Sequence, residues 1–547
     1  MLVYAMNKVR PSMDQQALCS RAAAFHRAGD LASAEGLYRE AAEAVAFAPR
    51  YLLGVVYFQQ GRYEEALKWI DAALAIDTRA SEALNISGLV LQALERHEDA
   101  LTRFAAALAA EPTYIEAWNN HGVSLQNLGR PEEALVSYDK ALAGAPDNGD
   151  IWNNRGVTLQ QLGLPEEALA SFDRSLAANP SIARAWTNRG LALHNVGRVE
   201  ESLISFDCAI AIDPNHLDAN WNKGLAALQL GRFDDGWPLY EWRLKRADIA
   251  RPRSYDKPLW SGQEGIAGEI LLVCSEQGFG DTIQFCRYAK LVVAKGARVI
   301  LSVHDALVPL ISSLEPEIAV VGESTTPPPF DRHVPLLSLP LALRTTNQSI
   351  PTEIPYLAPD PVRVEHWKAQ IGSTGFKVGI AWQGGNRGRA AVGRAFPLAA
   401  LAGLAAIPGV RLISLQKKDG LDQLGDLPPQ MAVETLGDDF DAGDEAFLDA
   451  AAAMECVDLV ITSDSAIAHL AGALGRPVWV GLQFIPDWRW QLDRSDSPWY
   501  PTMRLFRQHA RGHWPSVFAE MEEVLRAQLA PLNSAPLSAR LTPSRRL

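Results

Sequence analysis

The sequence predicts a multidomain protein in which an all-α array of repeated helix pairs precedes a two-lobed α/β domain. Three observations predict it. Gly54, Gly88, Gly122, Gly156, Gly190 and Gly224 recur every 34 residues through the first half. Beyond Arg251 that period stops, and short apolar runs of strand length alternate with helical stretches. A proline-rich stretch, from Pro327 to Pro361, then divides the second half into two lobes.

Bulk composition narrows the class. The chain has 547 residues, 48% of them hydrophobic, the profile of a globular protein with several cores. No apolar run approaches the roughly 20 residues of a membrane-spanning helix, and Met1–Arg10 lacks the apolar segment of a secretory signal. A net charge of -13 argues against nucleic-acid partners. Cys19, Cys208, Cys274, Cys286 and Cys456 show no metal-ligand spacing and read as reduced thiols of a cytoplasmic protein.

Within each repeat, further columns keep the same step: Ala66, Ala100, Ala134, Ala168 and Ser202; Pro112, Pro146, Pro180 and Pro214; Trp118, Trp152 and Trp186. Apolar residues fall at helical spacing between them, so each unit reads as two antiparallel helices. Gly129-Arg130-Pro131 is a representative turn, and an offset hairpin around Ala34–Tyr38 reads as the N-terminal cap. This is the tetratricopeptide repeat (TPR) pattern, predicting an all-α TPR superhelix over residues 14–245. The aromatic stretch within Gly231–Lys245 is expected to pack on the α/β domain next in the chain.

One polar column stands out. Asn120, Asn154, Asn188 and Asn222 each precede a repeat glycine by two residues, on the first helix of the pair. Carboxamides both donate and accept, so such a column can hold an extended acceptor peptide by its backbone. The alternative is hydrogen bonding between repeats that fixes the superhelical pitch. The column resembles the asparagine ladder of the eukaryotic O-linked N-acetylglucosamine transferases, themselves TPR–glycosyltransferase fusions.

After a linker over residues 246–267, two Rossmann-like lobes are expected at 268–360 and 361–530, with a disordered tail at 531–547. The first contains strand Glu269–Cys274, helix Ile283–Lys295 and strand Arg298–Val303. In the second, strands Lys377–Trp382, Val410–Leu415, Leu459–Thr462 and Val478–Leu482 accompany helices Ala446–Met454 and Ala466–Leu474. Successive lobes of this kind bind ligands at the carboxyl ends of their strands, and the second is the expected nucleotide-sugar site.

Three loops leave such strand ends. In the first, Gly278 and Gly280 allow close approach of a ligand, and Asp281 is either a helix cap or a base at the cleft. In the second, Asp464, Ser465 and His469 surround a helix N-terminus suited to phosphate. The third collects Arg387, Arg389 and Arg394, whose guanidiniums suit a diphosphate. Gln416, at the end of its strand, is a weaker candidate for nucleotide contact. The acidic stretch Asp438-Asp-Phe-Asp has the spacing of a metal motif but reads as a capping loop.

Glu276-Gln-Gly-Phe-Gly-Asp281-Thr, Arg394-Ala-Phe-Pro and Ser463-Asp-Ser-Ala-Ile-Ala-His469-Leu-Ala resemble motifs of the bacterial heptosyltransferase-like glycosyltransferases (family 9-like). These are metal-independent enzymes of the GT-B fold. The resemblance runs from about Glu269 to Leu525 and is strongest for the subset carrying a TPR array. In that subset Pro486-Asp-Trp-Arg-Trp and Asp496-Ser-Pro-Trp-Tyr also recur. It implies that Asp281 is the general base and that Arg394, where lysine is common, neutralises the leaving diphosphate. Asp464, Ser465 and His469 would bind the donor, although Ala466 replaces the usual glycine.

The short first lobe leaves little room for a lipopolysaccharide acceptor, and the TPR array is the natural replacement. Bacterial flagellin glycosyltransferases resemble this design. The expectation is therefore an inverting glycosyltransferase acting on Ser or Thr of a protein acceptor. It would need a nucleotide-sugar co-substrate, no metal and no other cofactor. The alternatives are an inactive TPR scaffold, or a glycan or lipopolysaccharide sugar transferase that uses its repeats for docking.

Overall fold

A computed structural model describes residues 13–43, 45–246, 255–385 and 393–534, together with Ile249 and Arg253. The chain divides between His216 and Leu217 into two compact units. Among the described residues no helix is long and apolar enough to cross a membrane.

The first unit is a run of hairpins: α1 (Met13–Arg27) with α2 (Leu31–Ala42), α3 (Phe47–Gln59) with α4 (Tyr63–Leu74), and α5 (Ser81–Ala93) with α6 (His97–Ala110). These are followed by α7 (Ile115–Asn127) with α8 (Pro131–Gly144), α9 (Gly149–Gln161) with α10 (Pro165–Ala178), and α11 (Ala183–Asn195) with α12 (Val199–Ile212). The repeating glycines have a packing cause. A Cβ at Gly88, Gly156 or Gly190 would stand 2.4–2.5 Å from the ring of Phe104, Phe172 or Phe206, so only glycine lets each ring lie on the facing helix backbone. The Trp and Pro columns form one device, because the indoles of Trp118, Trp152 and Trp186 donate to the carbonyls of Pro112, Pro146 and Pro180 at 2.9, 2.7 and 2.9 Å.

The second unit opens with a further hairpin, α13 (Leu217–Gln229) and α14 (Phe233–Tyr240). Gln229 Nε2 donates to Pro486 O at 2.7 Å, and Trp237 Nε1 donates to Thr345 O at 2.9 Å. Trp237 and Tyr240 meet Trp488 edge-on at 5.4 and 5.6 Å. The last stretch of the expected array, residues 217–245, therefore packs into the α/β unit. Part of the expected linker and the tail beyond Ser534 lie outside the described residues. The linker's Trp260 is buried, its amide donating to His333 O at 2.8 Å.

The first lobe is a parallel sheet in the order β3-β2-β1-β4, formed by β1 (Ile270–Cys274), β2 (Arg298–Val303), β3 (Ala319–Gly322) and β4 (Arg332–Pro335). The single helix expected over Ile283–Lys295 starts earlier and divides into α15 (Phe279–Phe285) and α16 (Tyr288–Val293). Buried Arg287 sits at the break, donating to Pro351 O and Trp499 O at 2.8 Å each and to Tyr356 Oη at 2.7 Å. Short helices α17 (Val308–Ile311) and α18 (Leu339–Ala342) complete the lobe.

The second lobe comprises α19 (Pro361–Ile371), β5 (Phe376–Ala381), α20 (Ala402–Ala405), β6 (Val410–Ser414) and β7 (Val433–Glu434). It continues with α21 (Leu448–Glu455), β8 (Leu459–Ser463), α22 (Ala466–Ala473), β9 (Val478–Leu482), β10 (Met503–Arg507) and α23 (Trp514–Ser534). Its six strands are parallel in the order β10-β9-β8-β5-β6-β7. The polypeptide is thus a TPR array followed by a Rossmann-like α/β domain, with two sheets whose carboxyl ends bear the candidate residues.

Candidate active site

Asp281 stands in the first turn of α15. Its Oδ2 accepts from Gly278 N at 2.9 Å, so the carboxylate does cap the helix. That uses one oxygen. Gly280 serves a close approach between lobes: a Cβ there would lie 3.1 Å from His469 Cδ2 and 3.4 Å from Ala466 Cα. The N-terminal turn of α15 is therefore pressed on the N-terminal half of α22. At Gly278 a Cβ would meet Asp281 Oδ2 alone, at 3.4 Å, which leaves open space above this turn.

The other oxygen of Asp281 joins a row of charges reaching into the second lobe. Arg489 Nη2 donates to Asp281 Oδ1, while Arg489 Nε donates to Gln284 Oε1 at 2.7 Å and its Nη1 to Asp487 Oδ1 at 2.9 Å. Asp487 Oδ2 accepts from Arg394 Nη2 at 3.1 Å, and Arg394 Nε lies 3.4 Å from Asp464 Oδ2. Signs alternate along Asp281, Arg489, Asp487, Arg394 and Asp464. Burial raises the proton affinity of Asp487, but Arg489 and Arg394 more than reverse it and hold the carboxyl well below its usual range. At Asp464 burial prevails over the attraction of Arg394, and the carboxyl is pushed up. Arg394 keeps 28% of its side-chain exposure, against 8% for Arg489, and is the cation a ligand can reach.

Ser465 is the N-cap residue of α22, with its Oγ 3.2 Å from Thr462 Oγ1. His469, one turn further, is buried and stacked on Trp490 at 5.3 Å and 17°. Its Nδ1 is 3.0 Å from Tyr500 Oη. Burial, reinforced by Arg489, drives the imidazole well below its ordinary pKa, so it is neutral.

The motif Pro486-Asp-Trp-Arg-Trp has no role assigned by sequence. The structure makes Asp487 and Arg489 the middle of the charge row and Trp490 the platform for His469. The available signal was an acid and a base two residues apart, among tryptophans, just beyond β9. Tyr500 closes the other recurring motif, Asp496-Ser-Pro-Trp-Tyr, which likewise has no role assigned by sequence, and Gln284 carried no such signal.

Two groups of expected contacts are placed differently. Gln416 was expected to touch a nucleotide. Its Oε1 instead accepts from Trp382 N and Gln383 N at 3.0 and 3.1 Å, and its Nε2 donates to Gln383 O and Asp419 O at 2.7 and 2.8 Å, which saturates the carboxamide. In the asparagine column, Nδ2 of Asn120, Asn154 and Asn188 donates to Oδ1 of Asn85, Asn119 and Asn153 at 3.0, 3.0 and 2.9 Å. Asn222 Nδ2 donates to Asp218 O at 2.8 Å. The first three bonds join successive repeats, the alternative to peptide binding, whereas that of Asn222 stays within its own helix. Arg387 and Arg389 lie outside the described residues. In the acidic loop, Asp441 Oδ1 accepts from Asp449 N at 2.8 Å, a cap of α21.

Comparison with known proteins bears on both halves. Residues 27–81, 87–151, 119–176 and 153–216 match the tetratricopeptide repeat family, and residues 414–482 match glycosyltransferase family 9 (heptosyltransferase). One chain thus carries TPR repeats and, beyond them, a segment similar to family 9 glycosyltransferases. It is 30% identical over 316 residues to Protein FlbA of Caulobacter vibrioides, an alignment covering 53% of this chain and 52% of that protein. The chain thus spans about half the length of the curated relative it matches. Among solved structures it is similar to a TPR protein of Parabacteroides merdae, with 19% identity, 42% of this chain and 91% of that chain covered, and TM-score 0.37. It is also similar to TTC0263 of Thermus thermophilus, with 24% identity, 34% and 100% covered, and TM-score 0.30.

The family 9 match runs from the end of β6 to β9 and includes Gln416, Asp464, Ser465 and His469. Asp281, Arg394, Asp487 and Arg489 fall outside it. Their association with the family 9 segment rests on the geometry, in which the charge row ends on Asp464 and Gly280 packs on His469.

Proposed function

We propose that the chain is an inverting, metal-independent glycosyltransferase of the GT-B kind. It transfers a sugar from a nucleotide-sugar donor to a Ser or Thr hydroxyl of a protein held by the TPR array, with flagellin-like proteins as the acceptor class. The observation that carries this reading is the meeting of Asp281 from one lobe with Arg394, Asp464 and His469 from the other, at the carboxyl ends of parallel strands.

A carboxylate offers about four acceptor positions. Asp281 uses one for Gly278 and one for Arg489, leaving room for an acceptor hydroxyl. Asp281 takes the hydroxyl proton as the oxygen attacks the anomeric carbon from the face opposite the leaving group, and the nucleotide phosphate departs towards Arg394 and the N-terminus of α22. Asn120, Asn154 and Asn188 each donate an amide N–H to the preceding repeat, so the acceptor is assigned to the array as a whole and not to that column.

The test is intact-mass spectrometry of proteins that co-purify with the full chain, from cells carrying either wild type or Asp281→Asn. A sugar-sized mass present with wild type and absent with the variant supports the reading. Captured proteins of identical mass in both strains would overturn protein glycosylation and favour the scaffold or glycan-transferase alternatives.

A further inference from the structure

Tyr500 lies outside the residues assigned a catalytic or binding role, yet it contacts His469 and closes a buried chain of hydroxyls. Tyr356 Oη accepts from Arg287 Nη2 at 2.7 Å and donates to Ile283 O at 3.0 Å, so its proton is committed to a carbonyl. Tyr500 Oη then has two neighbours, Tyr356 Oη at 3.5 Å and His469 Nδ1 at 3.0 Å. A hydroxyl proton needs an acceptor nearer than about 3.2 Å, so the proton of Tyr500 points to Nδ1. Nδ1 is then the bare nitrogen of a neutral ring, and the ring proton resides on Nε2.

The ring cannot turn to undo this. Trp490 stacks on one face, and the Cδ2 carbon lies 3.1 Å from where a Cβ on Gly280 of the first lobe would stand, which leaves the ring little room to rotate. Charge also opposes an imidazolium: the guanidiniums of Arg489, Arg287 and Arg394 act on His469, with the Asp487 carboxylate the opposing influence. Arg287 itself lies 4.5 Å from the centre of the Tyr500 ring.

We propose that Tyr500 is a positioning residue that holds His469 as the Nε2–H tautomer, a fixed, uncharged hydrogen-bond donor to an oxygen of the nucleotide-sugar donor. A neutral donor orients an anionic substrate without adding a charge that must be neutralised when the nucleotide leaves. This inference rests on the reading of the cleft as a donor site, but the tautomer can be observed without any substrate.

The experiment uses the full chain with 15N-labelled histidine and long-range 1H–15N spectra, in which the His469 signals are identified by their loss in His469→Gln. Wild type should show one protonated Nε2 and one bare Nδ1, unchanged from about pH 8 to about pH 5.5. In Tyr500→Phe, which keeps the ring packed against Gly472, the Nδ1–H tautomer should appear beside the Nε2–H one. Sugar transfer to co-purifying proteins should drop roughly tenfold, the loss of one oriented hydrogen bond. An Nδ1–H tautomer or an imidazolium in wild type overturns the proposal, and that reading stands even where the variant does not fold. So does a Tyr500→Phe spectrum identical to wild type. Transfer that survives Asp281→Asn overturns the catalytic reading alone and leaves the tautomer assignment in place.

Discussion

Replacing Arg243 by leucine should destabilise the α/β unit by about 3–5 kcal/mol, the cost of stranding a buried charge. Arg243 is fully buried in the short 3-10 turn after α14, donating to Glu241 Oε1 at 2.5 Å, and to Glu276 Oε1 and Ser338 Oγ at 2.7 Å each. Glu276 is nearly as buried, with 2% of its side chain exposed; it also accepts from Leu337 N at 3.1 Å. Burial outweighs Arg243 here and already pushes the Glu276 carboxyl up. Without the guanidinium it is a lone anion in the core. Adding Glu276→Gln should return about 1–3 kcal/mol as a favourable coupling in the double-mutant cycle. Because the chain has two units, a single unfolding midpoint mixes them. Hydrogen exchange across a urea series, read on peptides from residues 217–534, isolates the one concerned. The deficit should also shrink as pH falls. A carboxyl raised in the folded state binds protons that the unfolded state does not, so its stabilising protonation is complete below the unfolded value and lost as pH rises through the folded one. An Arg243→Leu variant within about 0.5 kcal/mol of wild type, or a cycle with no coupling, would refute this account. Glu276 opens the loop that carries Asp281, so sugar transfer should fall with the same variant.

Asn188→Ala removes the 2.9 Å bond to Asn153 and should cost the array about 1 kcal/mol, measured by exchange on peptides of α9 and α11. Loss of acceptor capture with unchanged exchange would instead restore the peptide-binding reading of the column. Gly280→Ala forces a methyl to within 3.1 Å of His469 Cδ2 and should cost about 1–3 kcal/mol, with a matching loss of transfer. A variant of wild-type stability and activity would show that the lobes do not need this contact. Binding of ADP or UDP to the full chain should take up protons, seen as a binding enthalpy that changes between phosphate and Tris buffers. Equal enthalpies, or proton release, would contradict the charge assignment at Asp464.

How much of the fold and site was legible in the sequence depends on the range of each interaction. The repeats were legible because the Gly–aromatic contact, such as Gly156 on Phe172, lies within one hairpin and recurs with it. Strands β2 and β9 were legible as apolar runs bounded by Gly or Pro. Short β3 and β4, and two-residue β7, lack a run long enough to announce them. Strand β10 alternates Arg504 and Arg507 with apolar neighbours, which breaks the run that would mark it. The single helix read over Ile283–Lys295 has no Gly or Pro at its break; Arg287 bonds to Pro351 and Trp499, and those partners are invisible locally. The same reason hid Arg489, which reaches Asp281 across 208 residues of chain. For the asparagine column the sequence showed the period but not the neighbour each side chain would find. Asn85, Asn119 and Asn153 stand at the same 34-residue step, one position ahead of the column.

The charge row itself limits what the site can bind. Three carboxylates, Asp281, Asp464 and Asp487, face two guanidiniums, Arg394 and Arg489, so the fully ionised row is one negative charge in excess. Asp487 touches both cations and stays ionised, while Asp464, whose ion pair is with Arg394 at 3.4 Å, is the carboxylate that burial pushes up. A phosphate that engages Arg394 competes with Asp464 for the same guanidinium and adds negative charge beside it. Its arrival must raise Asp464 further, and by linkage a ligand that raises a pKa binds together with protons. Nucleotide affinity should therefore strengthen as pH falls from neutrality towards the carboxylate range, opposite to the trend at a site where a lone arginine meets the phosphate. On the proposed donor-site reading, Asp464 yields Arg394 to the phosphate while the nucleotide is bound and takes the guanidinium back once the nucleotide has gone.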